Sequence, residues 1–154
     1  MRIALSADHR GSSIVKALQE KLAREGQQAE ILGDCAGGSC DYPERAFEVA
    51  TAVAQNKYDA GILVCGTGIG MSIAANKVKG VRAAVAHDEL TAELSRAHNN
   101  ANILCMSGDL LGQRLIEKIV DVWLKTPFEG GRHARRIHKI SAIEEGRSLT
   151  EVQE

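Results

Sequence analysis

The stretch AGILVCGTGIGMSIAANK, Ala60–Lys77, joins six consecutive small or apolar residues to a G-x-G-x-G loop and then to a segment of helical period. An unbroken apolar run of six, with Asp59 before it and Gly66 after it, reads as a strand buried on both faces, the kind found in parallel sheets covered by helices. The glycines make the turn, and a helix is expected over Ser72–Val78. A strand that leads at once into a helix reaches its next neighbour by a crossover, so parallel pairing is the consistent arrangement.

The same alternation extends in both directions. RIALSA (Arg2–Ala7), AEIL (Ala29–Leu32), VRAAVA (Val81–Ala86) and ANILCM (Ala101–Met106) read as further buried strands. Helices are expected over Ser12–Arg24, Glu44–Gln55, Glu89–Ala97, Leu111–Lys125 and Arg132–Glu145. The pattern predicts an α/β protein, a three-layer αβα sandwich around a five-stranded parallel, Rossmann-like sheet with right-handed crossovers. With aromatic residues only 3% of the chain, its core must be built from Ala, Val, Ile and Leu. The segment GDCAGGSCDYPE, Gly33–Glu44, is the longest loop, and its Pro43 stands where a helix starts. Residues 1–145 read as one domain and residues 146–154 as a polar tail.

The chain has 154 residues and a formal net charge of -1, which gives no electrostatic case for a nucleic acid or an anionic membrane. A small-molecule partner is the better fit. The four cysteines, Cys35, Cys40, Cys65 and Cys105, form no C-x-x-C pair, and the apolar run at the start is too short for a signal segment. Reduced thiols in a cytoplasmic protein are therefore expected.

Ligands of such sheets gather at the carboxyl ends of the strands. Those ends carry Asp8-His9-Arg10-Gly11, Cys65 to Gly70, His87-Asp88 and Ser107-Gly108-Asp109. The glycine loop does not meet the dinucleotide pattern G-x-G-x-x-G, because Met71 stands in the last position, and no Walker lysine is present. Asp88, about twenty residues on, keeps a nucleotide- or phosphate-binding module as an alternative. What the loop offers is a run of backbone N–H groups for an anion or a developing oxyanion. Cys65 is then either a buried structural thiol or a thiol activated at a helix start, with Thr67 placed to relay a hydrogen bond. Cys105 reads as core.

His9 is either a solvated turn residue or a ligand group. His98, just before the fifth strand, is expected to face the carboxyl or near-carboxyl rim, with Asn99 beside it for hydroxyls. His133 and His138 do not share a helix face, so no metal is expected. Arg132 and Arg136 do share one, as a solvated basic face or a phosphate grip.

Taken in order, ADHRG (Ala7–Gly11), DYPE (Asp41–Glu44), CGTGIGMSIAANK (Cys65–Lys77), SRAHNNAN (Ser95–Asn102) and GGRHARR (Gly130–Arg136) resemble ribose-5-phosphate isomerase B and its relatives, the galactose-6-phosphate isomerase subunits. The resemblance runs from Arg2 to about Ile143. It implies an aldose–ketose isomerase without metal or cofactor, working through a cis-enediolate on ribose 5-phosphate and ribulose 5-phosphate, with allose 6-phosphate, galactose 6-phosphate or a tetrose phosphate as alternatives. By the same resemblance Cys65 is the base between C1 and C2 with Thr67 beside it, and His98 is the acid that opens the sugar ring. Backbone groups at Gly66, Gly68, Ile69 and Gly70 hold the enediolate, Asp8 and Asn99 bind hydroxyls, and His9, Arg132 and Arg136 take the phosphate. The site is implied to be shared between subunits of a homodimer or tetramer, with residues 130–145 as an arm on the neighbour. Asp109 departs from the pattern: the family commonly has a phosphate-binding arginine there. A carboxylate about 4 Å from a phosphate charge would repel it by roughly 4 kcal/mol at an effective dielectric near 20.

Overall fold

All six residues of the strand Ala60–Cys65 are buried, and it forms the middle of a five-stranded sheet. The computed structural model describes residues 1–33, 35 and 38–151. The order of elements is β1 (Arg2–Ala7), α1 (Ser12–Arg24), β2 (Gln28–Ile31), α2 (Tyr42–Ala54), β3 (Ala60–Cys65), α3 (Ile69–Ala75), β4 (Ala83–Val85), α4 (Glu89–Ala97), β5 (Ile103–Ser107), α5 (Gln113–Lys125) and α6 (Arg132–Glu144), then a short 3₁₀ turn at Leu149–Glu151. The strands lie in the order β2-β1-β3-β5-β4, every pair parallel. This is the expected three-layer sandwich. Among the described residues, no helix is long and apolar enough to cross a membrane.

Period-two alternation divides the core between the two faces. Leu5, Ile62, Val64 and Leu104 pack with Leu18, Ile116 and Trp123 on the side of α1 and α5. Ala4, Leu63, Cys65 and Cys105 pack with Val49 and Met71 on the side of α2 and α3. Cys65 therefore points toward the α2–α3 layer. Burial pushes the Cys105 thiol far up, and it sits there as a neutral core group.

Three expectations need correction. First, α3 occupies Ile69–Ala75 rather than Ser72–Val78. Asn76 stops it, donating from Nδ2 to the Ser72 and Ala83 carbonyls and accepting at Oδ1 from the Ala83 N–H. Second, β4 is shorter than the apolar run Val81–Ala86. The Asn102 side chain accepts from the Arg82 N–H and donates to the Gly80 carbonyl, which holds that end in a loop. Third, Cys35 and Cys40 are joined as a disulfide rather than standing as reduced thiols. Their Cα atoms are 5.4 Å apart, well inside bridging range.

Candidate active site

After β1 the chain goes to β2 on one side and then to β3 on the other, so the order in which strands are added reverses between β1 and β3. The crevice outside their carboxyl ends is where this architecture places a ligand. At the end of β1, Asp8 is 6% exposed, and its Oδ1 accepts the Arg10 N–H at 2.9 Å. That bond closes a turn which leaves the side chains of His9 and Arg10 exposed.

At the end of β3, Cys65 is 4% exposed, and the Gly68 N–H donates to its Sγ at 3.2 Å. The bond depends on Gly68 having φ +80, the left-handed region that favours glycine. A Cβ there would also lie 3.0 Å from the Met106 backbone. The Ile69 N–H is turned onto Thr67 Oγ1 at 3.3 Å. Two of the loop's donors are thus engaged, whereas those of Gly66, Thr67 and Gly70 meet no acceptor among the described residues. The end of β5 fixes the loop from behind. Cys65 O accepts from the Gly108 N–H at 2.8 Å, and Gly66 O accepts from the Asp109 N–H at 3.2 Å and from Ser107 Oγ at 2.5 Å.

The Tyr42 ring lies over Gly70 so closely that an added Cβ would be 2.6 Å from Cζ. His87 reaches the Thr67 carbonyl at 3.4 Å. The sequence alone gives neither residue a role. Asp88 accepts the Thr91 N–H at 2.7 Å as the cap of α4, and this bond holds its carboxyl below the usual range. The acidic group that a nucleotide reading required is thereby spent on a helix end. Asp109, which stands where the resemblance expects an arginine, is paired. Both of its carboxylate oxygens meet Arg10 Nε, at 2.8 and 2.7 Å. This hydrogen bond and the charge behind it raise the Arg10 pKa further.

The remaining sequence candidates form a second group. His98 caps the end of α4, and its ring stacks on that of His133 with centroids 4.1 Å apart and planes 6° from parallel. Glu129 Oε2 lies 3.8 Å from His98 Nε2 and 3.5 Å from His133 Nε2. The donor atoms of His98, Glu129 and His133 all fall within 4.8 Å of one another, a grouping that the spacing of His133 and His138 gave no hint of. Burial of His133, with His98 and Arg132 next to it, pushes its pKa down. The ring then accepts from Arg132 Nε at 3.4 Å. Arg132 and Arg136 are exposed on the first turns of α6, and the backbone carbonyl of exposed Asn99 is held by Arg82 Nε at 3.1 Å.

The register shows that the two groups occupy opposite rims. Gly61 pairs with Ile103 and Cys65 with Ser107, so Cys65 is at the carboxyl end of the strands, whereas His98 precedes Ile103 at their amino end. Four residue steps at about 3.3 Å give roughly 13 Å of strand between those levels. The expectation that His98 faces the carboxyl rim is overturned. A helix that follows a parallel strand runs back along it, and the residues that end α4 arrive at the opposite edge.

The doubly wound sheet thus carries a buried thiol under a backbone donor at its switch point and a separate rim of imidazoles and guanidiniums, and comparison with known proteins places the chain in the class of sugar-phosphate isomerases. The Ribose/Galactose Isomerase family profile matches residues 3–140, and the chain belongs to that family. It is 49% identical over 148 residues to the putative sugar phosphate isomerase YwlF of Bacillus subtilis, covering 94% of this chain and 98% of that one. It is 37% identical over 145 residues to D-erythrulose-4-phosphate isomerase of Pectobacterium atrosepticum, covering 94% and 95%. The structure of Clostridium thermocellum ribose-5-phosphate isomerase B superposes with a TM-score of 0.93 at 44% identity, covering 96% and 100%.

Proposed function

We propose that the protein interconverts an aldose phosphate and its ketose, ribose 5-phosphate and ribulose 5-phosphate foremost, through a cis-enediolate formed at Cys65. The observation that carries this reading is the Cys65 sulfur, buried at the switch point and accepting the Gly68 N–H, in a loop whose Gly66, Thr67 and Gly70 N–H groups meet no acceptor among the described residues. In the forward direction the Cys65 thiolate takes the proton from C2 of the open-chain aldose. The C2–H electron pair forms the C1–C2 double bond while the C1 carbonyl pair moves to O1, giving the enediolate; the proton on Cys65, open to exchange with solvent, is delivered to C1 as the O2 hydroxyl proton passes to O1 and C2 becomes the ketone. The N–H groups of Gly66, Thr67 and Gly70 face the oxyanion that develops, where one such donor is typically worth about 10²–10³-fold in rate. A positioned acid–base group supplies about 10²–10⁴-fold.

His98 opens the sugar ring, Asn99 binds a hydroxyl, and Arg132 and Arg136 hold the phosphate, in each case from a second copy of the chain. Two features support the two-chain reading. The amino-rim group cannot reach the carboxyl rim of its own sheet. In addition, large apolar side chains stand exposed on both parties: Phe47, Ile69 and Ile73 beside the Cys65 rim, and Ile140 and Ile143 on α6. A two-fold pairing of α6 with the α2–α3 face covers both patches and completes two sites at once. His9 and Asp8 serve the site from the Cys65 side.

The test is incubation with ribose 5-phosphate, ribulose 5-phosphate, allose 6-phosphate, galactose 6-phosphate and erythrulose 4-phosphate in deuterium oxide, followed by NMR. Isomerisation of ribose 5-phosphate faster than the others, with solvent deuterium appearing at the transferred position, is the expected result. Faster turnover of another sugar phosphate would move the substrate assignment. No exchange with any of them would overturn the reading.

A further inference from the structure

We propose that Arg10, aimed by Asp109, is a substrate-binding residue whose guanidinium receives the sugar's phosphate at the lip of the Cys65 loop. The proposal rests on the sugar-phosphate reading of that site. Its footing is a pair of side chains 99 residues apart in sequence that meet across β3 from the ends of β1 and β5. Each is anchored through its backbone to the site itself: the Arg10 N–H on Asp8 Oδ1, and the Asp109 N–H on Gly66 O. The space above Gly66, the residue next to Cys65, is walled by Asp109 Oδ2 at 3.0 Å from a Cβ position, Arg10 Cδ at 3.5 Å and Arg10 Nε at 3.7 Å.

Asp109 occupies only Nε, with both of its oxygens, so the two terminal nitrogens of Arg10 meet no acceptor among the described residues. An exposed ion pair of this kind adds little to stability. What it does is fix a long side chain. The carboxylate is masked, and the lip presents the planar edge of a guanidinium, which matches two phosphate oxygens better than a point charge does. His9 is the next residue in the same turn, so both side chains serve one anion from the Cys65 side.

The test is calorimetric titration of the full chain with ribitol 5-phosphate, which carries the phosphate but no carbonyl to isomerise, with ribitol as the control. Arg10→Met should weaken ribitol 5-phosphate by roughly tenfold or more, the scale of a charge-assisted hydrogen bond, and leave ribitol unchanged. Asp109→Asn keeps an oxygen for Nε and removes the charge, so its affinity should stay level or tighten. The decisive variant is Arg10→Met with Asp109→Asn. If it binds as weakly as Arg10→Met alone, Arg10 contacts the phosphate. If it returns to wild-type affinity, Arg10 merely masks Asp109 and the proposal fails. It fails equally if Arg10→Met binds like wild type, or if the wild-type chain does not bind ribitol 5-phosphate. Because no turnover is needed, loss of binding in Arg10→Met would stand even if the isomerase reading fell.

Discussion

Replacing Cys65 by alanine removes one sulfur from a side chain that is 4% exposed and strips the Gly68 N–H of its acceptor. The lost burial is about the size of one methylene, roughly 1 kcal/mol, and an unpaired buried donor costs about 1–3 kcal/mol more. Domains of this kind are held by roughly 5–15 kcal/mol, so the variant folds, with a melting temperature lower by roughly 5–15 °C. Activity should fall much further, by about 10²–10⁴-fold, because the proposed proton acceptor has gone. Serine separates the two effects. Its hydroxyl oxygen accepts from the Gly68 N–H, so Cys65→Ser should melt near wild type, yet it is a far weaker base and should be no more active than alanine. Thermal melts alongside turnover of ribose 5-phosphate measure both. An alanine variant within tenfold of wild-type turnover would refute the assignment of Cys65 as the base.

Gly68→Ala forces a side chain into φ +80 and against the Met106 backbone, so a destabilisation of about 2–4 kcal/mol is expected from strain and overlap together, read by denaturant unfolding. His133 titrates below its ordinary value near 6.5 because it is buried, with His98, Arg132 and Arg136 opposing its charge and Glu129 favouring it. Below pH about 6.5 the unfolded chain takes up a proton that the folded chain refuses, so stability is lost as pH falls toward the depressed folded value. The melting temperature of His133→Gln should therefore decline less steeply than that of wild type between pH 7 and 5, and parallel declines would remove His133 as the cause. Arg132→Met or Arg136→Met should raise KM for ribose 5-phosphate about tenfold or more while barely changing the slow reaction of unphosphorylated ribose, as steady-state kinetics on both sugars will show.

Strands and helices with an unbroken pattern were legible from sequence to their ends. Arg2–Ala7 and Ala60–Cys65 stand where their apolar runs stand, and α1 and α4 match their periodic segments. Where side chains write the boundary, pattern fails. Asn76 ends α3 by bonding to Ala83, and Asn102 holds residues 80 and 82 out of β4; neither interaction leaves a mark on hydrophobic periodicity. The reactive groups were visible one by one, and the rims they occupy were not. His98 was named from its motif, but its partners Glu129 and His133 come from beyond α5, and only the return of the chain to the amino edge brings them together. Asp109 stands out as an anomaly in the sequence because its cation comes from the end of β1, two strands away across β3, in a turn read for its neighbours Asp8 and His9. Charge alone could have suggested Arg10 as that partner, but not its distance.

The central claim, a site made from the Cys65 rim of one copy and the His98 rim of another, is tested most directly by complementation. Cys65→Ala and His98→Asn, each nearly inactive alone, are denatured together and refolded as a mixture. In a mixed two-fold pair one site carries both substitutions and the other carries neither, so random pairing should restore about a quarter of wild-type activity toward ribose 5-phosphate. A mixture no more active than its separate components, in particles shown to contain both chains, would contradict the account and place both groups in the same subunit's site.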